Sequence, residues 1–499
     1  MPEPRTWQLT ACSAVLGLAL AAGAVATAGP WDTGQRKAER ARAAATSANG
    51  GAHHAPPPLA AAPPRPAPAP SAAGVLRALG APVATRPGDL AAVLVPLLAD
   101  PGLGPLRSAS VVDTATGRQL YGEGATTPMT PASTVKIATT VAALSALGPD
   151  HRIPTTVVAT ADARTVTLTG GGDPTLDRAR LTALADETVR ALKSRGATSV
   201  RLAYDTSLYR GPVRHPIGRN DNIAPVSPLM LDAGRLDASA YGPAPRSDDP
   251  AQDTARAFRD LLTGAGITVR GEPAPGRAPK TAGPPAADPT PGPKATGPRP
   301  TASATSDPKA TAPRAAVIAR THSAPLGDLV ERTLTHSDND LAEALARQTA
   351  LAREQPAGFD GAGRAVRAEL AALGLPVAGT HFADGSGLSR ADRVSAALLT
   401  GLLTRAADPA RPELRPVLTG LPVGGFSGTL ENRFGTGPAA TGAGLVRAKT
   451  GTLTGVNALA GTVVTADGRL LAFAFLAGRT TSPTTAQSAL DRLSAALTP

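Results

Sequence analysis

The sequence predicts an α+β fold built on a discontinuous domain, and three observations carry the prediction. First, Leu445–Thr452, Ala458–Thr465 and Leu470–Leu476 alternate or run apolar as strands do, and Asp467-Gly468 turns the last two into a hairpin. A helix over Thr484–Leu497 follows, with Ala489, Leu490, Leu493 and Leu497 on one face. Second, Ser108–Asp113 and Gln119–Tyr121, joined through Thr114-Ala-Thr-Gly117, read as a strand pair leading to a helix that opens at Ser133. Third, about two hundred residues separate Ser133 from Ser337, far too many for a loop, although both belong to one chemical set.

In chain order, the first 28 residues read as an export signal. Arg5 supplies a small positive region, Leu9 to Val25 an apolar run, and Ala26-Thr-Ala28 the small residues for cleavage before Gly29. The only cysteine, Cys12, lies inside it, so a cleaved product needs no disulfide in an oxidising exterior. Residues 29–74 are Ala/Pro-rich without periodicity, a tether, and order is expected from about Val75. The catalytic domain is assigned to 75–156 and 315–499, and an inserted, β-rich domain to 157–270. Within the insertion, Val157–Val158, Thr165–Leu168 and Ser199–Asp205 read as strands and Leu181–Ser194 as a helix. Gly170-Gly-Gly-Asp-Pro174 is read as a turn after the second strand; it lacks the lysine of a phosphate loop. Residues 271–314, rich in Pro, Ala and Thr, are read as a disordered linker.

The chemistry is concentrated in three short segments. Ser133 and Lys136 stand one helical turn apart in Pro131-Ala-Ser-Thr-Val-Lys-Ile137, and Ile137, Val141, Leu144 and Leu147 give that helix an apolar stripe. A serine nucleophile needs a base within hydrogen-bond reach, and positions i and i+3 share a helix face. At a helix start, free N–H groups and the positive dipole end favour developing negative charge. Ser337-Asp-Asn339 and Lys449-Thr-Gly-Thr452 complete the set. Each motif alone is weak, and Ser133 alone reads equally well as an ordinary helix cap. Lysine usage shifts the balance: nearly all other basic residues are arginine, which cannot lose its proton at useful pH, while a buried lysine can.

Other chemistries fit less well. The histidines are scattered without ligand spacing, no H-E-x-x-H and no cysteine pair occurs, and so neither a metal nor any other cofactor is expected. No G-x-S-x-G elbow surrounds Ser386 or Ser427. The net charge of +11 is dispersed over arginines in a chain with only 3% aromatics, which argues against a nucleic-acid partner and for a solvated basic surface.

The three motifs, in this order, resemble those of the DacB-type D-alanyl-D-alanine carboxypeptidases, the low-molecular-mass class C penicillin-binding proteins. The resemblance runs over about residues 85–270 and 315–480. It extends to Gly170-Gly-Gly-Asp-Pro-Thr-Leu176, Ala224-Pro-Val-Ser-Pro-Leu229, Asp384-Gly-Ser-Gly-Leu-Ser-Arg390, Leu421-Pro-Val-Gly-Gly-Phe-Ser-Gly-Thr-Leu430 and Arg447-Ala-Lys-Thr-Gly-Thr-Leu453. A long insertion between the first two motifs is itself a family trait. The family's further small domain has only low-complexity sequence in the corresponding span here, and Arg219-Asn-Asp221 replaces a tryptophan often found before Ala224.

The resemblance implies a transpeptidase-like domain, an antiparallel sheet with helices on both faces and the site at one sheet edge. It implies acyl transfer on peptidoglycan stem peptides, with β-lactams as covalent inhibitors, by an exported enzyme that is secreted or associated with the wall or membrane. Ser133 is then the nucleophile and Lys136 its base, made neutral by burial and the charge of Lys449. The N–H groups of Ser133 and Thr452 form the oxyanion hole, and Gly451 leaves room for substrate along its strand. Thr450 and Thr452 suit a substrate carboxylate, Asn339 the acyl amide, and Ser337 the proton path to the leaving amine. Ser386 and Arg390, with Asp221, are expected to hold the zwitterionic end of a diaminopimelate side chain. A β-lactamase and a non-catalytic penicillin-sensing or wall-binding module of the same fold are the alternatives.

Overall fold

The computed structural model describes residues 87–281 and 315–498. The export signal, the tether and residues 282–314 of the expected linker lie outside them.

A helix, α1 (Pro87–Leu98), precedes the paired strands β1 (Leu106–Asp113) and β2 (Gln119–Glu123). The turn between them closes on Asp113, whose carboxylate accepts the N–H groups of Ala115 and Thr116. Helix α2 (Val135–Leu147) follows, and then β3 (Pro154–Ala159), β4 (Thr165–Gly170) and β5 (Asp173–Leu176). The segment read as one glycine turn is therefore shorter: only 171 and 172 turn, and Asp173 already begins a strand. Helix α3 (Arg178–Lys193), β6 (Ser199–Asp205), β7 (Leu229–Leu231), α4 (Pro250–Gly264), β8 (Thr268–Val269) and β9 (Ala274–Pro275) complete the first half. Helix α3 starts earlier than its apolar periodicity indicates, because the Asp177 side chain caps it by accepting from the Arg180 N–H at 2.8 Å.

The second half contains β10 (Ala316–His322), α5 (Leu326–Thr335), α6 (Asn339–Ala352), α7 (Phe359–Ala372) and α8 (Ala396–Ala407). It ends with β11 (Arg447–Leu453), β12 (Val456–Val464), β13 (Leu470–Gly478) and α9 (Pro483–Ala495). Two larger sheets result. The first is antiparallel in the order β11-β12-β13-β1-β2, so the two chain ends build one sheet with β11 at its edge. The second has the order β10-β3-β4-β6-β8, with β9 also on β6, while β5 pairs with β7.

The helices on both faces of the first sheet explain its sequence. Strand β13 reads Leu-Leu-Ala-Phe-Ala-Phe-Leu-Ala-Gly because it is covered on both sides. Ala472, Ala474 and Leu476 face a core shared with α2 and α8. Leu471, Phe473 and Phe475 face a second core with residues of α1 and α9. The small alanines let the first helical layer approach closely. Helix α2 is buried from Val135 to Leu144, not along one stripe, because helices surround it as well as the sheet.

Three boundaries differ from the sequence reading. Strand β10 pairs with β3, so residues 316–322 join the second sheet and the return to the first lies beyond His322. The chain likewise enters the second sheet at Pro154. The start of the expected linker is structured: Ala274 and Pro275 pair with β6, and the Asp205 carboxylate accepts the Ala278 N–H at 2.7 Å. Among the described residues no helix is long and apolar enough to cross a membrane.

Candidate active site

Ser133 lies in a tight turn, Ala132–Thr134, that feeds directly into α2. The turn is held under strain. Ala132 is fully buried with φ +48, a left-handed conformation that costs an L-residue about 1–2 kcal/mol. Its neighbours explain why it persists. A Cβ at Gly451 would lie 2.6 Å from the Pro131 carbonyl oxygen, and one at Gly387 would lie 2.1 Å from that of Ala132. The turn is thus wedged between β11 and the loop 384–390. The sequence reading gave Gly451 to substrate clearance, but the group it clears here is the protein's own Pro131 carbonyl. The same contact brings Ser133 and Thr452 to one sheet edge.

Lys136 is fully buried. Its Nζ donates to Ser133 Oγ at 3.0 Å, Asn339 Oδ1 at 2.7 Å and the Ser386 carbonyl at 2.6 Å, three acceptors for the three protons of an ammonium. Burial lowers its pKa to about 8, against the opposing pull of Asp384, Asp338, Glu343 and Asp392. Lys449 is also fully buried, and its Nζ donates to the Thr450 carbonyl at 2.9 Å. Burial first, and then the charge of Lys136, push Lys449 well below the ordinary lysine range. The sequence reading had burial and the charge of Lys449 lowering Lys136; burial is what lowers it, and the charge effect runs from Lys136 to Lys449.

Ser337 turns the chain with φ +56 just before α6, whose N-terminus is capped by Asp338 accepting from the Leu341 N–H. Asn339 is the first residue of that helix. Its Oδ1 faces Lys136, and its Nδ2 donates to the Asn222 carbonyl at 3.0 Å. This bond places the exposed Asp221 beside the site. The Asp221 carbonyl accepts from the Ala244 N–H and from Arg246. On β11, the Thr450 hydroxyl donates to Thr429 Oγ1 at 2.8 Å, and the exposed Thr452 accepts from Gln487 at 3.4 Å.

Ser386 and Arg390 do not converge. The Ser386 side chain is fully buried and its hydroxyl donates to Asp384 Oδ2 at 3.1 Å, so it is withdrawn from any side-chain carboxylate of a ligand. Its main-chain carbonyl is what enters the site. Arg390 is exposed and donates to the Thr454 carbonyl at 2.7 Å, tying its loop to the β11–β12 turn.

Sequence reasoning missed a buried polar layer beneath Lys136. Asp384 accepts from the N–H groups of Gly387 at 2.6 Å and Ser389 at 2.8 Å, and its Oδ2 bonds His215 Nε2 at 2.7 Å. Glu343 Oε1 accepts from Gly385 and Ser386, and its other oxygen pairs with Arg347 at 2.6 Å. Arg347 in turn lies over the Phe359 ring at 4.3 Å. Burial acts to raise Asp384, but hydrogen bonds from His215 and Asp392 outweigh it and hold its carboxyl low. Burial, and then the charge of Asp384, push Asp392 up. His215, Glu343 and Asp384 offer ligand atoms within 4.8 Å of one another. Their oxygens are already engaged by backbone N–H groups, His215 and Arg347, which does not suit a metal. One signal was available: Asn339, Glu343 and Arg347 recur every fourth residue, a polar stripe along a helix whose other residues are mostly Leu and Ala. His215 gave none, since it lies 169 residues from its partner.

Over residues 90–245 and 302–497 the chain matches the D-Ala-D-Ala carboxypeptidase 3 (S13) family. It is 37% identical over 456 residues to carboxypeptidase DacB of Mycolicibacterium smegmatis, covering 87% of this chain and 89% of that one. It is 30% identical over 459 residues to the D-alanyl-D-alanine carboxypeptidase of an Actinomadura species, covering 75% and 78%. In fold it is similar to penicillin-binding protein 4 (DacB) of Haemophilus influenzae, with a TM-score of 0.61, 21% identity, and coverage of 82% of this chain and 98% of that one.

Proposed function

The chain belongs to the D-Ala-D-Ala carboxypeptidase 3 (S13) family, and we propose that it performs serine carboxypeptidase and endopeptidase chemistry on peptidoglycan stem peptides through Ser133. The observation that carries this reading is the fully buried Lys136 amine 3.0 Å from Ser133 Oγ, with its pKa lowered to about 8.

Neutral Lys136 takes the Ser133 hydroxyl proton as Oγ attacks the carbonyl carbon of the terminal D-Ala-D-Ala bond. Charge passes to the carbonyl oxygen, which the N–H groups of Ser133 and Thr452 receive. The C–N bond then breaks, the leaving amine takes a proton by way of Ser337, and an ester remains on Ser133. Water hydrolyses that ester to regenerate the serine. Lys449, Thr450 and Thr452 meet the terminal carboxylate, which offsets the burial of the Lys449 charge. Asn339 meets the acyl amide by exchanging its bond to the Asn222 carbonyl. Penicillin acylates the same serine, and export places the enzyme at the wall. For a diaminopimelate side chain, Arg390 suits the carboxylate and Asp221 the ammonium, without the Ser386 hydroxyl.

Fluorescent penicillin labelling and D-alanine release from a pentapeptide, measured together, test the reading. Ser133→Ala abolishes both while the melting temperature is retained. Lys136→Arg loses about 10²-fold or more in acylation rate, since a guanidinium cannot act as the base. Undiminished labelling of the Ser133 variant would sink the assignment, and rapid turnover of penicillin would identify a β-lactamase instead.

A further inference from the structure

His215 is the one member of the buried layer that comes from the segment between β6 and β7. Its ring is fully enclosed and stands edge-on to Phe359, with centroids 5.3 Å apart. Its tautomer follows from its neighbours. The Ile217 N–H points at Nδ1 at 3.2 Å, so Nδ1 is the acceptor and Nε2 carries the proton that Asp384 Oδ2 receives.

That oxygen also takes the Ser389 N–H and the Ser386 hydroxyl. The Asp384 carboxylate is thus the hub around which the loop 384–389 is wound, and Gly387 of that loop packs directly on the Ala132 carbonyl. The Ser386 carbonyl projects from the hub to Lys136 Nζ at 2.6 Å and lies 3.5 Å from Ser133 Oγ. A chain of contacts therefore runs from His215 through Asp384 and the Ser386 peptide to the reacting pair. Around Lys136 the acidic groups are Asp338, Glu343, Asp384 and Asp392, and the charge of Lys136 in turn acts on Lys449.

We propose that His215 is a positioning residue for the catalytic lysine: its Nε2–H orients the Asp384 carboxylate, which sets the Ser386 carbonyl that aims Lys136 at Ser133. The inserted segment would then contribute to the acylation step and not to substrate binding alone. The inference rests on Ser133 and Lys136 being the reacting pair.

The test uses the full-length protein. His215→Phe keeps a ring against Phe359 but removes the donor, and His215→Gln keeps an N–H within reach of Asp384. Acylation by fluorescent penicillin is followed over a concentration series, beside thermal melting. His215→Phe is expected to lower the limiting acylation rate about tenfold or more while the half-saturating concentration stays within about threefold. His215→Gln is expected to recover the limiting rate to within about threefold of the unaltered protein. A His215→Phe protein that acylates at the unaltered rate overturns the proposal. So does an equal loss in both variants, which would mark a packing role.

Should the Phe variant not fold, nitrogen NMR of the unaltered protein decides. The Nε2–H form, with its signal shifting on acylation at Ser133, supports the proposal. An Nδ1–H tautomer, or a signal indifferent to acylation, overturns it. Loss of labelling at Ser133 in the unaltered protein would instead refute the assignment of the nucleophile.

Discussion

The pH dependence of acylation follows directly from the setting of Lys136. An ordinary lysine, with a pKa near 10.5, leaves only a few amines in ten thousand neutral at pH 7. Burial brings the value to about 8, a change of roughly 2.5 units or about 3 kcal/mol in favour of the base form, which makes neutral lysine about three hundred times more abundant. The neutral fraction is then about one tenth at pH 7, one half at pH 8 and nine tenths at pH 9. The rate of penicillin acylation under pseudo-first-order conditions should therefore rise about tenfold per unit below pH 7 and level off above about pH 8.5. Asp338→Asn sharpens the test. Asparagine still caps α6, but one of the carboxylates that hold Lys136 protonated is gone, so the rising limb must move toward acid. A rate independent of pH between about 6 and 9, or one still climbing tenfold per unit beyond pH 10, would refute the reasoning.

Other consequences are open to direct measurement. Gly451→Ala forces a methyl group to 2.6 Å from the Pro131 carbonyl, so it should cost about 1–3 kcal/mol in denaturant unfolding and slow acylation by displacing the Ser133 turn. Arg390→Ala should reduce turnover of peptides bearing a free diaminopimelate end more than it reduces penicillin acylation, and equal losses on both would remove Arg390 from side-chain recognition. Replacing residues 282–314 with a shorter Gly/Ser segment, while keeping 271–281, should shift stability by only about 0.6 kcal/mol per halving of length, read as a small change in melting temperature.

The motif residues were legible because each depends on a local relation. Ser133 and Lys136 meet through helix spacing, and Lys449 to Thr452 lie on one strand whose alternation is visible in the chain. The sheet strands and α9 were legible for the same reason, since an apolar period states which face is buried. Placing Ala316–His322 failed because an apolar strand does not name its partner; pairing with β3 is decided across more than a hundred and fifty intervening residues. Ser386 failed in a different way. Its hydroxyl suits a ligand by type, but Asp384 claims it from within the same loop, and only the fold of that loop shows which way it points.

By itself the sequence determined the candidate site residues, their order and the local elements that carry them, because nucleophile–base spacing and periodicity act over a few residues. The tertiary structure alone decided the burial that lowers the lysine pKa, the left-handed Ala132 wedged by two glycines, and the layer of Glu343, Asp384, Asp392 and His215 beneath Lys136. Each of these depends on groups distant in the chain being brought together and on water being excluded, and neither is written in any short stretch of residues.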